Sequence, residues 1–207
     1  MTTRPRTSPD RSYRSPAGIA GGVVLLAVGA WLGADALISG EGRTPWLALA
    51  GLLLAVPLVV AFTIRPAVFG NEDRLRVRNP FRDITLPWGS VATFRSGYSN
   101  EVLDEAGTKY QLWSIPVSLR ARRKAQRPAR PRPQGRRGRE QDAVAEAQEQ
   151  VVRRAPADHS MDELRELHES RAAAPASQGA PAVRWAYEII APAVAGAVLL
   201  VVLIALG

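Results

Sequence analysis

The sequence predicts a membrane protein, with three transmembrane α-helices and one small cytoplasmic α+β domain built on an antiparallel β-meander. Three observations lead there. Apolar residues collect into three runs almost free of charge, and arginine collects on one side of those runs. Between the second and third run, apolar and polar residues alternate in short stretches separated by turn clusters.

Residues 1–16 form a basic tail, with Arg4, Arg6, Arg11 and Arg14 against Asp10. The first span is placed at 17–38, with Asp35 its one charge; the second, at 46–64, is uncharged. The third run begins at Ile189, again without charge, and its span is placed at 186–206. About 20 apolar residues cross roughly 30 Å of hydrocarbon, so all three suffice. Pro57 lies inside the second run, which a membrane helix tolerates when neighbouring groups take up the freed carbonyl. Ala34–Asp35–Ala36 has the look of a signal cleavage site, but the preceding run is long for a signal and a second span follows at once. An uncleaved anchor is expected.

Arginine sets the orientation. The segment from Arg65 to Arg184 holds 22 basic and 15 acidic residues, whereas the loop between the first two spans has Arg43 beside Asp35 and Glu41. Positive residues stay inside, which predicts a multi-pass plasma-membrane protein with a cytoplasmic N-terminus and main domain and its C-terminus outside. Trp185 and Tyr187 then fall at the inner interface. Gly18, Gly22, Gly29 and Gly33 recur along the first span and allow close helix approach. They are candidate packing residues, for a second copy in a homo-oligomer or for another span of the same chain.

Residues 66–118 read as short strands. Ala67–Phe69 precedes the turn cluster Gly-Asn-Glu-Asp, and Leu75 and Val77 then alternate with Arg74, Arg76 and Arg78. Asn79-Pro80 begins the next reversal; Ile84 and Leu86 resume the alternation before Trp88. Ala92, Phe94 and Tyr98 share one face by period, and a hairpin turning at Glu105–Gly107 leads to Trp113. So many short strands without intervening helices argue for a meander.

The ordered set Val77-Arg78-Asn79-Pro80, Leu86-Pro87-Trp88, Val91 and Gln111–Pro116 resembles the bacterial pleckstrin-homology (PH) domains. It is most similar to small actinobacterial membrane proteins of low-molecular-weight-antigen type, and Asn79, Pro80, Trp88 and Trp113 serve as the fold signature. The resemblance implies a bent antiparallel sheet closed by a C-terminal capping helix. Residues 160–172 suit that helix, with Ser160 as N-cap, Glu163 completing a capping box, and Met161, Leu164, Leu167 and His168 on one face. Residues 173–184 then link to the third span. PH domains that bind phosphoinositides use basic residues at the first hairpin; here that loop carries Glu72 and Asp73, which repel phosphate.

Residues 119–158 read as a basic insertion, proline-rich and expected to be disordered in its first part, with a weak helix at 140–154. It is either a solvated linker that fixes topology or a patch for anionic lipid, with Arg120, Arg122, Arg123, Lys124, Arg127 and Arg130 as the contacts. Each basic residue near such a surface contributes about 1 kcal/mol. Charge alone would also suit nucleic acid, but without interleaved aromatics or a folded groove nucleic acid is not an expected partner.

Nothing in the sequence assembles a catalytic set. There is no cysteine and only His159 and His168, and no phosphate loop or hydrolase motif occurs. No cofactor, metal or enzymatic activity is expected. The chain reads as a binding or adaptor module that recruits a protein or anionic lipid. The alternative is an accessory subunit acting through its spans.

Overall fold

The computed structural model describes residues 10–116 and 159–206. Its elements are β1 (Arg11–Tyr13), α1 (Pro16–Ile38), α2 (Thr44–Val59), β2 (Ala67–Gly70), β3 (Arg74–Arg78), β4 (Arg82–Pro87), β5 (Val91–Ser96), β6 (Asn100–Asp104) and β7 (Lys109–Gln111). After them come α3 (159–171), β8 (Ala182–Trp185) and α4 (Tyr187–Ala205). The chain divides into two compact units. One contains the three apolar helices, residues 76–85 and β8; the other contains β5 to β7, α3 and the residues around the first hairpin.

In the helical unit, α1, the α2 segment continued to Ile64, and α4 are each long and apolar enough to cross a membrane. The Ser15 hydroxyl accepts the Gly18 N–H at 3.2 Å and Pro16 opens α1, a residue pair suited to a helix start. Pro57 removes one backbone donor from α2, and the helix widens just beyond it into a π-turn at Val60–Ile64. Small residues set the packing distances. A side chain at Gly22 would run into Thr63, one at Gly33 into Leu52, and one at Gly196 into the backbone of Leu53 and Leu54. The predicted glycine row therefore lies against the second helix of the same chain. Ala61, Ala186 and Ile189 form a buried cluster with Val60 and Phe81 around it.

Among the described residues there are two sheets, one ordered β1-β2-β3-β4-β8 and one ordered β5-β6-β7. The alternation in β3 holds, with Leu75 and Val77 fully buried and the arginines on the other face. In β5 it fails: Val91 and Phe94 are buried whereas Ala92 is exposed, as is Tyr98 in the turn that follows. A register irregularity between Val91 and Thr93 shifts the phase, as a bulge does.

Three expectations change. The basic tail contains β1, and the linker at 173–184 contains most of β8, which pairs antiparallel with β4 through Arg82↔Trp185 and Ile84↔Val183. Both strands escape pattern reading, since β1 has three residues and all four residues of β8 are exposed. Residue 159 is already helical, so Ser160 lies inside α3 rather than capping it. His159 and Glu163 instead pair across one turn at 3.2 Å. The insertion at 119–158 and its weak helix, and Arg4 and Arg6 of the tail, lie outside the described residues.

Candidate functional site

The first hairpin loop, where the resemblance would put a ligand, is braced by its own chain. The Asn71 side-chain oxygen accepts the N–H groups of Asp73 at 3.0 Å and Arg74 at 2.9 Å, closing a tight Asx-type turn. Glu72 pairs with Arg171 at 3.2 Å, and its carbonyl accepts the Ser177 hydroxyl at 3.2 Å. The Asn71 amide donates to Asp10 at 2.9 Å. Asp10, Glu72 and Asp73 make this loop anionic, a poor place for a phosphate.

Beside it the core closes on Trp88. Its indole is wholly buried and donates to the Asn71 carbonyl at 2.8 Å. His168 of α3 sits 6.3 Å from the Trp88 ring and 6.1 Å from Phe94, with Nε2 2.8 Å from the Val91 carbonyl. Met161 and Leu164 of α3 are buried as well. His168 is thus a packing residue, held by a backbone partner. The Tyr13 hydroxyl donates to Glu163 at 2.6 Å; burial and the adjacent carboxylate push the phenol's pKa up, so it stays neutral.

The tip of the small sheet carries a groove of about 210 Å³ between the 97–99 turn and the 112–116 turn. Tyr98 and Trp113 flank it, 74 % and 45 % exposed, while Leu112, Ile115 and Asn100 are buried beneath. Asn100 holds the floor rigid: its amide donates to the Ile115 carbonyl at 3.0 Å and its carbonyl accepts the Leu112 N–H at 2.8 Å. Ser114, in the same turn, has a buried hydroxyl without a hydrogen-bond partner among the described residues. The groove's lining is uncharged, with Ser99, Asn100 and Gln111 as its polar groups.

At the other end of β6, Asp104 is buried. Burial pushes its carboxyl up, but hydrogen bonds from the Thr108 N–H at 2.7 Å and the Tyr110 hydroxyl at 3.1 Å outweigh this and hold the pKa below the usual carboxylate value. Gly107, at φ +81°, makes the turn that permits this.

A second polar cluster sits in the helical unit. Arg65, at the end of the π-turn, reaches Asp83 at 3.0 Å, Glu188 at 2.9 Å and the Asn79 carbonyl at 3.3 Å. It ties the β3–β4 hairpin to the first turn of α4. Phe62 packs edge-on against Phe81 with centroids 5.4 Å apart, and the Arg82 guanidinium lies 5.2 Å over the Trp185 ring.

The residues singled out from sequence go to separate places. Asn79 turns the hairpin, its N–H donating to the Arg82 carbonyl at 2.8 Å; Pro80 and Trp88 are buried. Trp113 is on the surface at the groove, and so is Tyr98, which period counting put on the same face as Phe94. Gly97 was the signal, because it marks a strand reversal whose tip residue points outward. Gly18, Gly22, Gly29 and Gly33 belong to the α1 packing face. The six basic residues proposed for lipid, Arg120 to Arg130, lie outside the described residues. Among the described residues, no group of His, Asp and Glu is placed to hold a metal ion.

Residues 65–141, which are 77 of the chain's 207, match the family model of the bacterial PH domain. The chain thus carries a PH-like domain of sheets and helices beside three helices long and apolar enough to cross a membrane. No curated protein and no solved structure matches it.

Proposed function

We propose that this protein is a non-enzymatic adaptor, held in the membrane by three helices, that recruits a partner protein through its PH-like domain. The observation that carries this reading is the aromatic groove at Tyr98 and Trp113. Its rigid, buried floor and exposed aromatic walls suit an inserted side chain, and aromatics are enriched at recognition surfaces. A cavity of about 210 Å³ is small for a cofactor site, which usually spans about 300–1,000 Å³.

Two features of the charge distribution support placing the domain in the cytoplasm. Arg14, Arg65 and Arg184 stand at the same end of the helices, where α1 begins, the second helix ends and α4 begins. The opposite end of α1 and α2 carries Asp35, Glu41 and Arg43. Trp185 and Tyr187, both exposed at the foot of α4, have the chemistry of an interfacial anchor. Two apolar helices ahead of the sheet also agree with the low-molecular-weight-antigen type. A reporter inserted at Gln134 should be active in the cytoplasm, and one after Gly207 outside; the reverse pattern would overturn the topology.

The basic insertion fits an auxiliary role on anionic lipid. The accessory-subunit reading has less support, since the glycine face it would use is taken up by α2. The test is a photo-crosslinking residue at position 98 of the full chain in its own membrane. A discrete adduct formed from position 98 and lost on Trp113→Ala supports recruitment; adducts that form only from helix-facing positions such as 194 favour the accessory subunit.

A further inference from the structure

We infer that the polar face of β3, β4 and β8 binds the headgroup of an anionic phospholipid, held by Arg76, Arg78 and Arg184 around the Arg65–Asp83 pair. This rests on reading the three helices as membrane spans, with the start of α1, the end of the second helix and the start of α4 in one leaflet. The three strands are neighbours in that order. Leu75, Val77, Ile84 and Leu86 are buried on one face, so Arg76, Arg78, Asp83 and Thr85 take the other. Register sets Arg184 of β8 opposite Asp83. The bond from the Asn79 N–H to the Arg82 carbonyl sets Arg78 opposite Asp83 on its other side. Asp83 therefore lies between two arginines across the sheet, 3.5 Å from Arg78, while Arg65 reaches it at 3.0 Å from the end of the second helix.

Charge and depth both favour this occupant. Arg14, Arg65, Arg76, Arg78, Arg82 and Arg184 belong to the helical unit at this end, against Asp83 and Glu188. Guanidiniums gathered so closely repel one another, and a bound anion relieves that repulsion. Arg65 directly follows the second helix, and Arg184 stands three residues before α4, within about 10 Å of its start at 3.3–3.6 Å per residue. The headgroup layer is roughly 5–7 Å deep on each side, and the apolar stem of arginine spans the remainder. A guanidinium offers paired, coplanar N–H donors that match two phosphodiester oxygens. A zwitterionic lipid brings its own cation, which the same arginines repel. Arg82 stays beside the interfacial Trp185 ring, 5.2 Å from its centroid. The site shares no residue with the first hairpin loop, whose carboxylates exclude phosphate.

The test uses the full chain in micelles of a neutral detergent, labelled with 5-fluorotryptophan, the Trp185 fluorine resonance being assigned by Trp185→Phe. Trp185 follows Arg184 in β8 and lies beneath Arg82, so it reports on this face. Titration with phosphatidylglycerol should move the resonance to saturation, and phosphatidylcholine should not. Arg78→Gln and Arg184→Gln should each raise the phosphatidylglycerol midpoint about fivefold, the factor that one arginine contributes near an anionic surface. Arg184→Lys should raise it less, and Arg43→Gln, at the other end of the helices, should leave it unchanged. Arg184 is exposed, so its variant reads the site even where Arg78→Gln unfolds the chain. No saturable movement, equal movement by the two lipids, or an unchanged midpoint in Arg184→Gln would overturn the site. Reporters at Gln134 and Gly207 found on the same side of the membrane would instead overturn the spans, so the two failures are distinguishable.

Discussion

The Trp88 indole N–H donates to the Asn71 carbonyl at 2.8 Å, across the turn that opens the sheet. One side chain thus fills the core and fixes the first hairpin loop, which in turn is held by Arg171 and Ser177 through Glu72. Trp88→Ala should therefore cost about 3–5 kcal/mol in stability. Trp88→Phe keeps much of the packing but strands the Asn71 carbonyl, at about 1–3 kcal/mol. Denaturant titration of the full chain in micelles, followed by near-ultraviolet circular dichroism, measures both. A Trp88→Phe loss close to zero would mean that the hydrogen bond contributes nothing.

Arg65 is 11 % exposed and faces two carboxylates of unequal burial, Asp83 at 34 % and Glu188 at 61 %. Arg65→Ala should destabilise by about 1–3 kcal/mol, because half-buried Asp83 loses its closer charged donor and keeps only Arg78, at 3.5 Å. Double-mutant cycles should give the larger coupling for the Asp83 pair. The exposed Glu188 pair should contribute no more than about 1 kcal/mol. A reversed order would show that the Glu188 leg dominates the cluster.

The depressed Asp104 pKa has a pH signature of definite sign. The folded carboxylate binds its proton less readily than the unfolded one, so its stabilisation is complete above the unfolded value near 4 and is lost as pH falls through the lower folded value. Melting temperature should fall with acidification in that window. Asp104→Asn should melt lower at neutral pH and show a shallower acid dependence. A variant whose acid profile matches that of the parent chain would remove Asp104 from the account.

Neighbouring glycines of α1 should respond oppositely. A side chain at Gly22 meets Thr63 and Ile64, whereas one at Gly21 meets nothing within 4 Å. Gly22→Val should cost about 1–3 kcal/mol by overpacking, and Gly21→Val should be close to neutral or slightly stabilising. Thermal unfolding in micelles, monitored by far-ultraviolet dichroism, compares the two. Similar melting temperatures would argue against the close α1–α2 approach.

The apolar helices, the β3–β4 hairpin and the buried Trp88 were legible because each carries its own pattern: an uninterrupted apolar run, strict alternation, a proline-fixed turn. The edge strands were not, because β1 is three residues long and β8 has no buried face. The groove was not legible for a related reason. Periodicity puts Tyr98 on the face of Phe94 only if β5 runs on unbroken, and the irregularity at Val91–Thr93 together with the turn at Gly97 breaks that count. Arg65 was counted toward topology and not toward packing, since its partners Asp83 and Glu188 lie far apart in sequence.

The pairing of β4 with β8 places a time order on biosynthesis. Arg82 leaves the ribosome long before Trp185, its partner across the sheet. At about 5–20 residues per second the delay is roughly 5–20 s. Throughout that interval the β4 edge is an open hydrogen-bonding template, emerging in a nascent chain that has yet to make its last apolar helix. Only when α4 is synthesised, directly behind β8, does the sheet gain its final strand. A chain stopped short of β8 would keep that edge open, a mark by which incomplete molecules differ from finished ones.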